Sequence, residues 1–577
     1  MAERLAFTCN DAPVELDVEP GESLLVVLRE RLGYVSVKDG CAPQGQCGCC
    51  TVLVDGEPRV ACVTPVMRVA GRAVTTVEGL DAPRRDALAD AFVATGGSQC
   101  GFCTPGILVR VAALLDKGRT DRTSVDRALA AHLCRCTGWQ TIHEAVALAA
   151  GTVTAPTETR DLDAASTRST IEGGVAQRVA PDVPLGAGGF ADDTAPRDAL
   201  VAVPLPPGSG AEHVEAAGVR WVVGESLHDA RTRAGKVQGR RTTVEDKPPL
   251  PLPEPWPDGV RLATSWVEPA YLEPDASWCE PGGKAATPLA NGGAFGGKVR
   301  SVAPPAARDL ADRFGRAVRV VLSREDVVRL GPKRPPIAAR ARWVEGGVEL
   351  EGVVAAGGID AFKIGAPPAP SPGPLRTSLR WSERTVTGPP IGREPRAAGL
   401  AEHAVLLAGA LAAADVDPWA VVASDRDAGV MLDTIVRATT GALAGARVDI
   451  DPETARVERI AVKVAAGDVL DWVALRSYAI GAAHMGLGWV LSEGIAVDPD
   501  SGDVQDLTIR SFGILRARDM PPVDVEIVDD AGPPLAVSDA VYAAVAAATW
   551  NAVTVVEGTR PETFPARDTR VARVLRR

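Results

Sequence analysis

The chain has 577 residues, 46% hydrophobic and 24% charged, a globular composition long enough for about three to five domains. Its 62 basic and 74 acidic residues give a formal charge of −12, without the basic surplus of nucleic-acid or anionic-membrane binders. No uninterrupted apolar run of about 18 residues occurs, so no membrane span is expected. The start, MAERLAFTCN, lacks a basic and then apolar leader pattern, so a cytoplasmic location is expected.

In chain order, LAFTCN, VELDV and TVLVDG read as short strands, with Asp55-Gly56 as a turn. Between them Ser23 to Arg31 reads as a helix that Gly33 ends. From about residue 84 the pattern becomes helical, over Asp86–Ala94, Gly106–Lys117 and Ser124–Leu133, with one more helix after Gly138. Residues 151–185 are rich in Thr, Ala, Pro and Asp without sustained periodicity and are expected to be a linker. Beyond them strands such as VRWVVG and VRVVLS alternate with helices such as Ala397–Ala414 and Asp539–Ala548, a mixed α and β region.

Ten of the eleven cysteines lie between Cys9 and Cys136. The first group is Cys41, Cys47, Cys49 and Cys50, followed by Cys62, in a glycine-dense loop. Such a loop lets several thiolates converge on an inorganic core while backbone N–H groups face the sulfurs. The spacing is C-x5-C-x2-C, one residue longer in its first interval than the plant-type [2Fe–2S] pattern. Cys41, Cys47, Cys50 and Cys62 are assigned as ligands and Cys49 as a spare thiol, with a structural zinc or disulfides as the alternatives. The second group is Cys100, Cys103, Cys134 and Cys136. Alone, Cys100-x2-Cys103 suits a redox dithiol or half a zinc site as well. Thr104 with Pro105, and Thr137, are each placed to cap a helix after a cysteine pair, which would set partial positive charge beside anionic sulfurs. Four thiolates at two helix–loop junctions suit a second [2Fe–2S] cluster.

QCGFCTPG followed by LCRCTGW resembles the iron–sulfur region of the xanthine dehydrogenase and aldehyde oxidase family of molybdenum hydroxylases. CAPQGQCGCCTVLVDG resembles the ferredoxin loop that precedes it, and together these motifs cover about 140 residues. The resemblance implies an α+β multidomain chain. Its expected parts are a β-grasp [2Fe–2S] ferredoxin domain over 1–78, a four-helix [2Fe–2S] domain over 79–150 and the linker over 151–185. A short hammerhead-like α/β domain over 186–260 and a shortened molybdopterin-binding-like domain over 261–577 follow. It further implies two [2Fe–2S] clusters and a molybdopterin cofactor, with Gln99 and the segment around Cys136 near the pterin.

The loop Asn291 to Lys298 is glycine-rich, so its N–H groups could approach a phosphate or oxo ligand, although a plain turn-rich connection is equally compatible. GGAFGGK resembles the GGxFGxK loop of the molybdopterin-binding subunit, which implies cofactor contacts at Gly292, Gly293, Phe295 and Gly296. Other fragments, including GAAHMGLGWVLSEGIAVDPDSGDV, occur in the family's order. A large internal part is absent between Pro418 and Arg447. Met485 stands where the family has a cofactor-bonding glutamine. The late GxKGxGE segment, whose glutamate acts as base, has no counterpart between Val525 and Ala540, and none of Glu526, Asp529, Asp530 and Asp539 is assigned as one. No catalytic residue is named. The six histidines form no H-E-x-x-H pattern, and Cys279 is read as structural.

The 151–185 stretch has no room for a flavin domain, so the resemblance implies a separate flavoprotein partner and a full-length molybdenum subunit. The expected function is electron transfer through two [2Fe–2S] clusters within a molybdenum-hydroxylase complex. The alternatives are a self-contained hydroxylase of aldehydes or N-heterocycles and a noncatalytic docking subunit.

Overall fold

The computed structural model describes residues 3–576 apart from 155–159, 236–243, 288–292, 295, 345–346, 357–375, 396–397, 417–432 and 529. At the N-terminus a five-stranded sheet has the order Ala12–Val18, Glu3–Cys9, Ala73–Thr75, Thr51–Val54, Glu57–Val60. Its first two strands form a hairpin that closes at Cys9 opposite Ala12, with Asn10 and Asp11 in left-handed backbone at the turn. Leu5, Phe7 and Cys9 alternate inward. They meet Leu24, Val27 and Leu28 from the helical turn that begins at Leu24 and continues through Val27–Arg31. Ser23 caps that turn, its Oγ accepting from Val26 N–H at 3.4 Å.

Four helices follow: Ala82–Thr95, Thr104–Leu115, Arg122–Ala128 and Gln140–Ala149. Thr104 is the first helical residue and Cys103 occupies the capping position, one residue earlier than the sequence suggests. Thr137 does not cap the last helix. Trp139, with φ of 72°, holds that place, because the chain turns there to bury the indole, which donates to Leu515 O at 3.0 Å.

The stretch expected as a linker contains the helix Leu162–Gly173, started by Asp161 accepting from Asp163 and Ala164 N–H at 3.0 Å each. Polar anchoring rather than an apolar stripe holds it. Buried Glu172 accepts from Val537 and Ser538 N–H, both at 3.0 Å, and so satisfies donors at the start of the distant helix Ser538–Glu557. Buried Arg168 donates to Glu172 at 2.6 Å.

Among the described residues, the mixed region contains three sheets. One runs Asp275–Cys279, Val318–Leu322, Leu200–Pro204, Val219–Gly224, Val214–Ala216, so strands from both sides of residue 260 share it. Another orders Arg376–Thr385, Gly347–Ala356, Ile337–Val344, Gly259–Thr264, Thr563–Phe564, and the last orders Thr434–Arg437, Leu443–Ile450, Val457–Ala465, Val523–Val528. The helices Leu400–Ala413, Trp472–Leu491 and Ser538–Glu557 pack together at the centre. Ser538–Glu557 is long and apolar enough to cross a membrane, but 67% of its apolar window lies buried inside the fold. One apolar cluster runs from Cys41 and Phe102 through Trp139 to Trp489 and Trp550. The thiol-bearing domains and the C-terminal region therefore share a core.

Candidate metal centres

Cys41, Cys47 and Cys50 lie on the loop before the strand Thr51–Val54, and Cys62 on the short turn after Glu57–Val60. All four are buried. Pairing of the two strands brings Cys62 over the loop, where Cys50 Sγ accepts from Cys62 N–H at 3.4 Å. Cys41 Sγ accepts from the N–H groups of Gln46 and Cys47 at 3.3 Å each. The thiols of Cys47 and Cys62 hydrogen-bond Cys41 and hold it well below the usual thiol range, while Cys47 and Cys62 are themselves pushed up. Such a set gives up one proton readily and the next with difficulty, until a cation shares the site.

The second set is also buried. Cys100 and Cys136 Sγ are 3.6 Å apart, Cys134 contacts both Cys103 and Cys136, and Thr137 Oγ1 lies 3.1 Å from Cys134 Sγ. The Cys103 and Cys136 neighbours hold the Cys134 thiol well below its usual range. The helix Thr104–Leu115 starts beside these sulfurs, which favours negative charge. Among the described residues, no three His, Cys, Asp or Glu side chains are grouped to hold a single metal ion. The thiols form chains of neighbouring pairs. Buried thiol donors with N–H groups on their sulfurs fit a [2Fe–2S] cluster in each set.

Cys49 adjoins the first set, its thiol hydrogen-bonded with that of Cys47 and facing Cys47 O at 3.8 Å. A hydrogen bond with Cys47 lowers its thiol pKa, but burial together with the neighbouring Cys41, Cys50 and Cys100 leaves it raised. Its backbone packs against the second domain: a Cβ on Gly106 would stand 2.5 Å from Gly48 O and 2.7 Å from Cys49 O. Leu133 N–H, next to Cys134, donates to Cys47 O at 3.0 Å. Buried His132 lies against Gly48 and contacts Thr51 Oγ1 at 3.2 Å, and burial pushes its imidazole down to about 3, so it is neutral at pH 7. The spacing of the cysteines gave no sign of these contacts.

The residues expected to meet a pterin are engaged with protein. Gln99 Nε2 donates to Cys136 O at 3.1 Å and to Ser477 Oγ at 2.9 Å, although its Oε1 is buried without a partner. The helix Trp472–Leu491 lies directly on Cys136, since a Cβ on Gly481 would overlap Cys136 O. Met485, on the same helix, is buried. In the glycine-rich loop, Gly292 and Phe295 lie outside the described residues. Gly293 abuts Arg135, with Cγ 2.8 Å from its missing Cβ position, and Gly296 packs on Glu394. Arg135, between the two cysteines, forms a buried ion pair with Glu493, one arm of which measures 2.9 Å. Two large grooves, of about 610 and 660 Å³, lie elsewhere, one beside Leu205 and Ser501 and the other beside Ala408 and Val555. Gln99 Nε2 and Cys136 O are thus taken up by protein, while the buried Gln99 Oε1 keeps an unused acceptor. Cys279 is buried, with its thiol directed to Glu280 O at 3.2 Å, as a structural residue would be.

Residues 7–73 match the family model of a 2Fe-2S iron-sulfur cluster binding domain, and residues 76–147 that of a [2Fe-2S] binding domain. Over 139 residues the chain is 41% identical to the xanthine dehydrogenase iron-sulfur-binding subunit of Escherichia coli O157:H7, covering 86% of that protein and 23% of this one. The chain belongs to the xanthine dehydrogenase and aldehyde oxidase family of molybdenum hydroxylases. It is thus an oxidoreductase of that type, with two [2Fe–2S] domains. Residues 377–521 match a molybdopterin cofactor-binding domain. The chain is also 41% identical over 162 residues to the aldehyde oxidoreductase of Megalodesulfovibrio gigas, covering 27% of this chain and 18% of that protein. The structure of aldehyde oxidoreductase from Desulfovibrio gigas superposes with a TM-score of 0.74 at 17% identity, covering 100% of both chains. That likeness extends the shared fold through the C-terminal region.

Proposed function

We propose that this chain carries electrons through two [2Fe–2S] clusters within a molybdenum-hydroxylase complex. Cys41, Cys47, Cys50 and Cys62 would hold one cluster, and Cys100, Cys103, Cys134 and Cys136 the other. When bound, the clusters supply one-electron redox chemistry. The chain's own part is to bury the sulfurs, to direct N–H groups at Cys41 and Cys50, and to fix the separation of the two sites. The observation that carries the reading is the hydrogen bond from Leu133 N–H to Cys47 O. It joins neighbours of both thiol sets, so one hydrogen bond and a few covalent bonds connect them.

No step is assigned to molybdopterin, because Gln99 and Cys136 are closed on Ser477 and Gly481. A separate subunit would then perform the hydroxylation, with a flavoprotein as electron acceptor, in the cytoplasm where the thiols stay reduced. The division into cluster domains over 1–78 and 79–150, a connecting stretch to 185 and a mixed region beyond belongs to the same proposal. A second reading, a self-contained hydroxylase, is favoured by the match over 377–521. Iron, acid-labile sulfide and molybdenum per chain, with electron paramagnetic resonance after reduction, decide between them. Four irons with two spin signals and no molybdenum support electron transfer alone. Stoichiometric molybdenum on the same protein supports the second reading, and absence of iron overturns both.

A further inference from the structure

The segment from Leu507 to Arg510 comes from the molybdopterin-domain match, yet it clasps the first cysteine loop. Gln44 Nε2 donates to Leu507 O at 3.1 Å, and its Oε1 accepts from Ile509 N–H at 3.2 Å. Gln44 also donates to Glu325 at 2.8 Å. One residue further along the clasp, Arg510 N–H donates to Gln46 Oε1 at 3.1 Å.

The Arg510 side chain reaches both cysteine domains. Its Nε donates to Gln46 O, just before Cys47, at 3.3 Å. Its terminal nitrogen donates to Ala130 O at 2.8 Å, on the turn Leu129–Ala131 that leads into Cys134. All three Arg510 hydrogen bonds end on neutral oxygens, so no carboxylate among these partners cancels its charge. The nearby Arg516 is paired with Asp519 at 2.6 Å. Burial and the Arg516 charge lower the Arg510 pKa, and the Cys41 and Cys47 sulfurs act in the opposite direction, in keeping with the Arg510 bond to Gln46 O beside Cys47.

We propose that Arg510 is a positioning residue of the electron relay, tying the two cluster loops together and setting the reduction potential of the first cluster. The proposal rests on the reading that the cysteines bind two clusters. Reduction adds one negative charge to a cluster, so a fixed cation nearby favours the reduced state. Loss of the cation moves the potential to a more negative value. Because Arg510 is partly exposed, salt weakens the effect.

The test is a redox titration of the full chain, monitored by electron paramagnetic resonance, for the wild type, Arg510→Met and Arg510→Lys. The wild type must first show four irons and two spin signals; if it does not, the parent reading fails. The expected result for Arg510→Met is a more negative first-cluster midpoint, an unchanged second midpoint, and a gap from the wild type that narrows at high salt. Arg510→Lys keeps the charge but not the fork, so its first midpoint stays near the wild-type value. Arg510→Gln is read in the same way if Arg510→Met does not hold four irons. An unchanged first midpoint in the charge-removing variant, equal shifts of both clusters, or the same shift in Arg510→Lys would overturn the proposal.

Discussion

Gly106 sits in the first turn of the helix Thr104–Leu115, where the second cysteine domain meets the loop of the first. A methyl group there would stand 2.5 Å from Gly48 O, 2.7 Å from Cys49 O and 3.0 Å from Cys49 C. All three neighbours are backbone, so relief requires the helix and the cysteine loop to part by roughly half an ångström to one ångström, judged against ordinary contact distances. Overpacking of this kind costs about 1–3 kcal/mol. Helix propensity acts the other way, since Ala is favoured over Gly by about 1 kcal/mol in a helix interior and by less near an end. The net expectation for Gly106→Ala is a loss of about 1–2 kcal/mol. For a urea slope of about 2 kcal/mol per molar, the midpoint falls by about 0.5–1 M. The assay follows visible cluster absorption through urea unfolding, with Gly210→Ala as control because a Cβ there meets nothing within 4 Å. A Gly106→Ala protein as stable as the wild type, or more so, would refute close packing between the two domains.

Cys103→Ser is expected to remove the second cluster's spin signal and leave the first, and loss of both signals would count against two separate sites. Glu493→Gln strands the buried charge of Arg135 and should destabilise the protein by about 3–5 kcal/mol in urea unfolding. The same change at Glu15, whose ion pair with Arg4 is exposed, should leave the midpoint where it was. His403 accepts from Trp381 Nε1–H at 3.0 Å through Nε2 and therefore donates through Nδ1 to Gly399 O at 2.6 Å, a neutral arrangement. Burial lowers its pKa below 6.5, so the unfolded chain binds the proton first. Stability should be full above about pH 6.5 and fall as the pH drops below it. His403→Gln should lessen that slope, to which buried His132, His143 and His484 also contribute, and an identical slope in the variant would show that His403 does not contribute.

The eight cysteines expected as ligands group in space as their spacing suggests, because a short loop and a helix–loop junction fix thiols locally. Cys49 is not set apart from them in space, because its thiol hydrogen-bonds that of Cys47. The helix Leu162–Gly173 escaped notice because polar contacts to residues 535–538 hold it, and periodicity reports only apolar stripes. The capping expectation at Thr137 failed for a related reason: the burial of Trp139 against Leu515 decides where that helix begins.

The sequence by itself determined the family, the two [2Fe–2S] domains and the strand and helix content around them, because thiol spacing and local propensity act over a few residues. Only the tertiary structure decided that Leu133 joins the two thiol sets, that Gly481 closes over Cys136 and that Arg510 spans both loops. Those contacts join residues as far as 464 positions apart, and what places them is the shared core around Trp139, Trp489 and Trp550. No local pattern encodes such distances, since each depends on how whole sheets and helices pack.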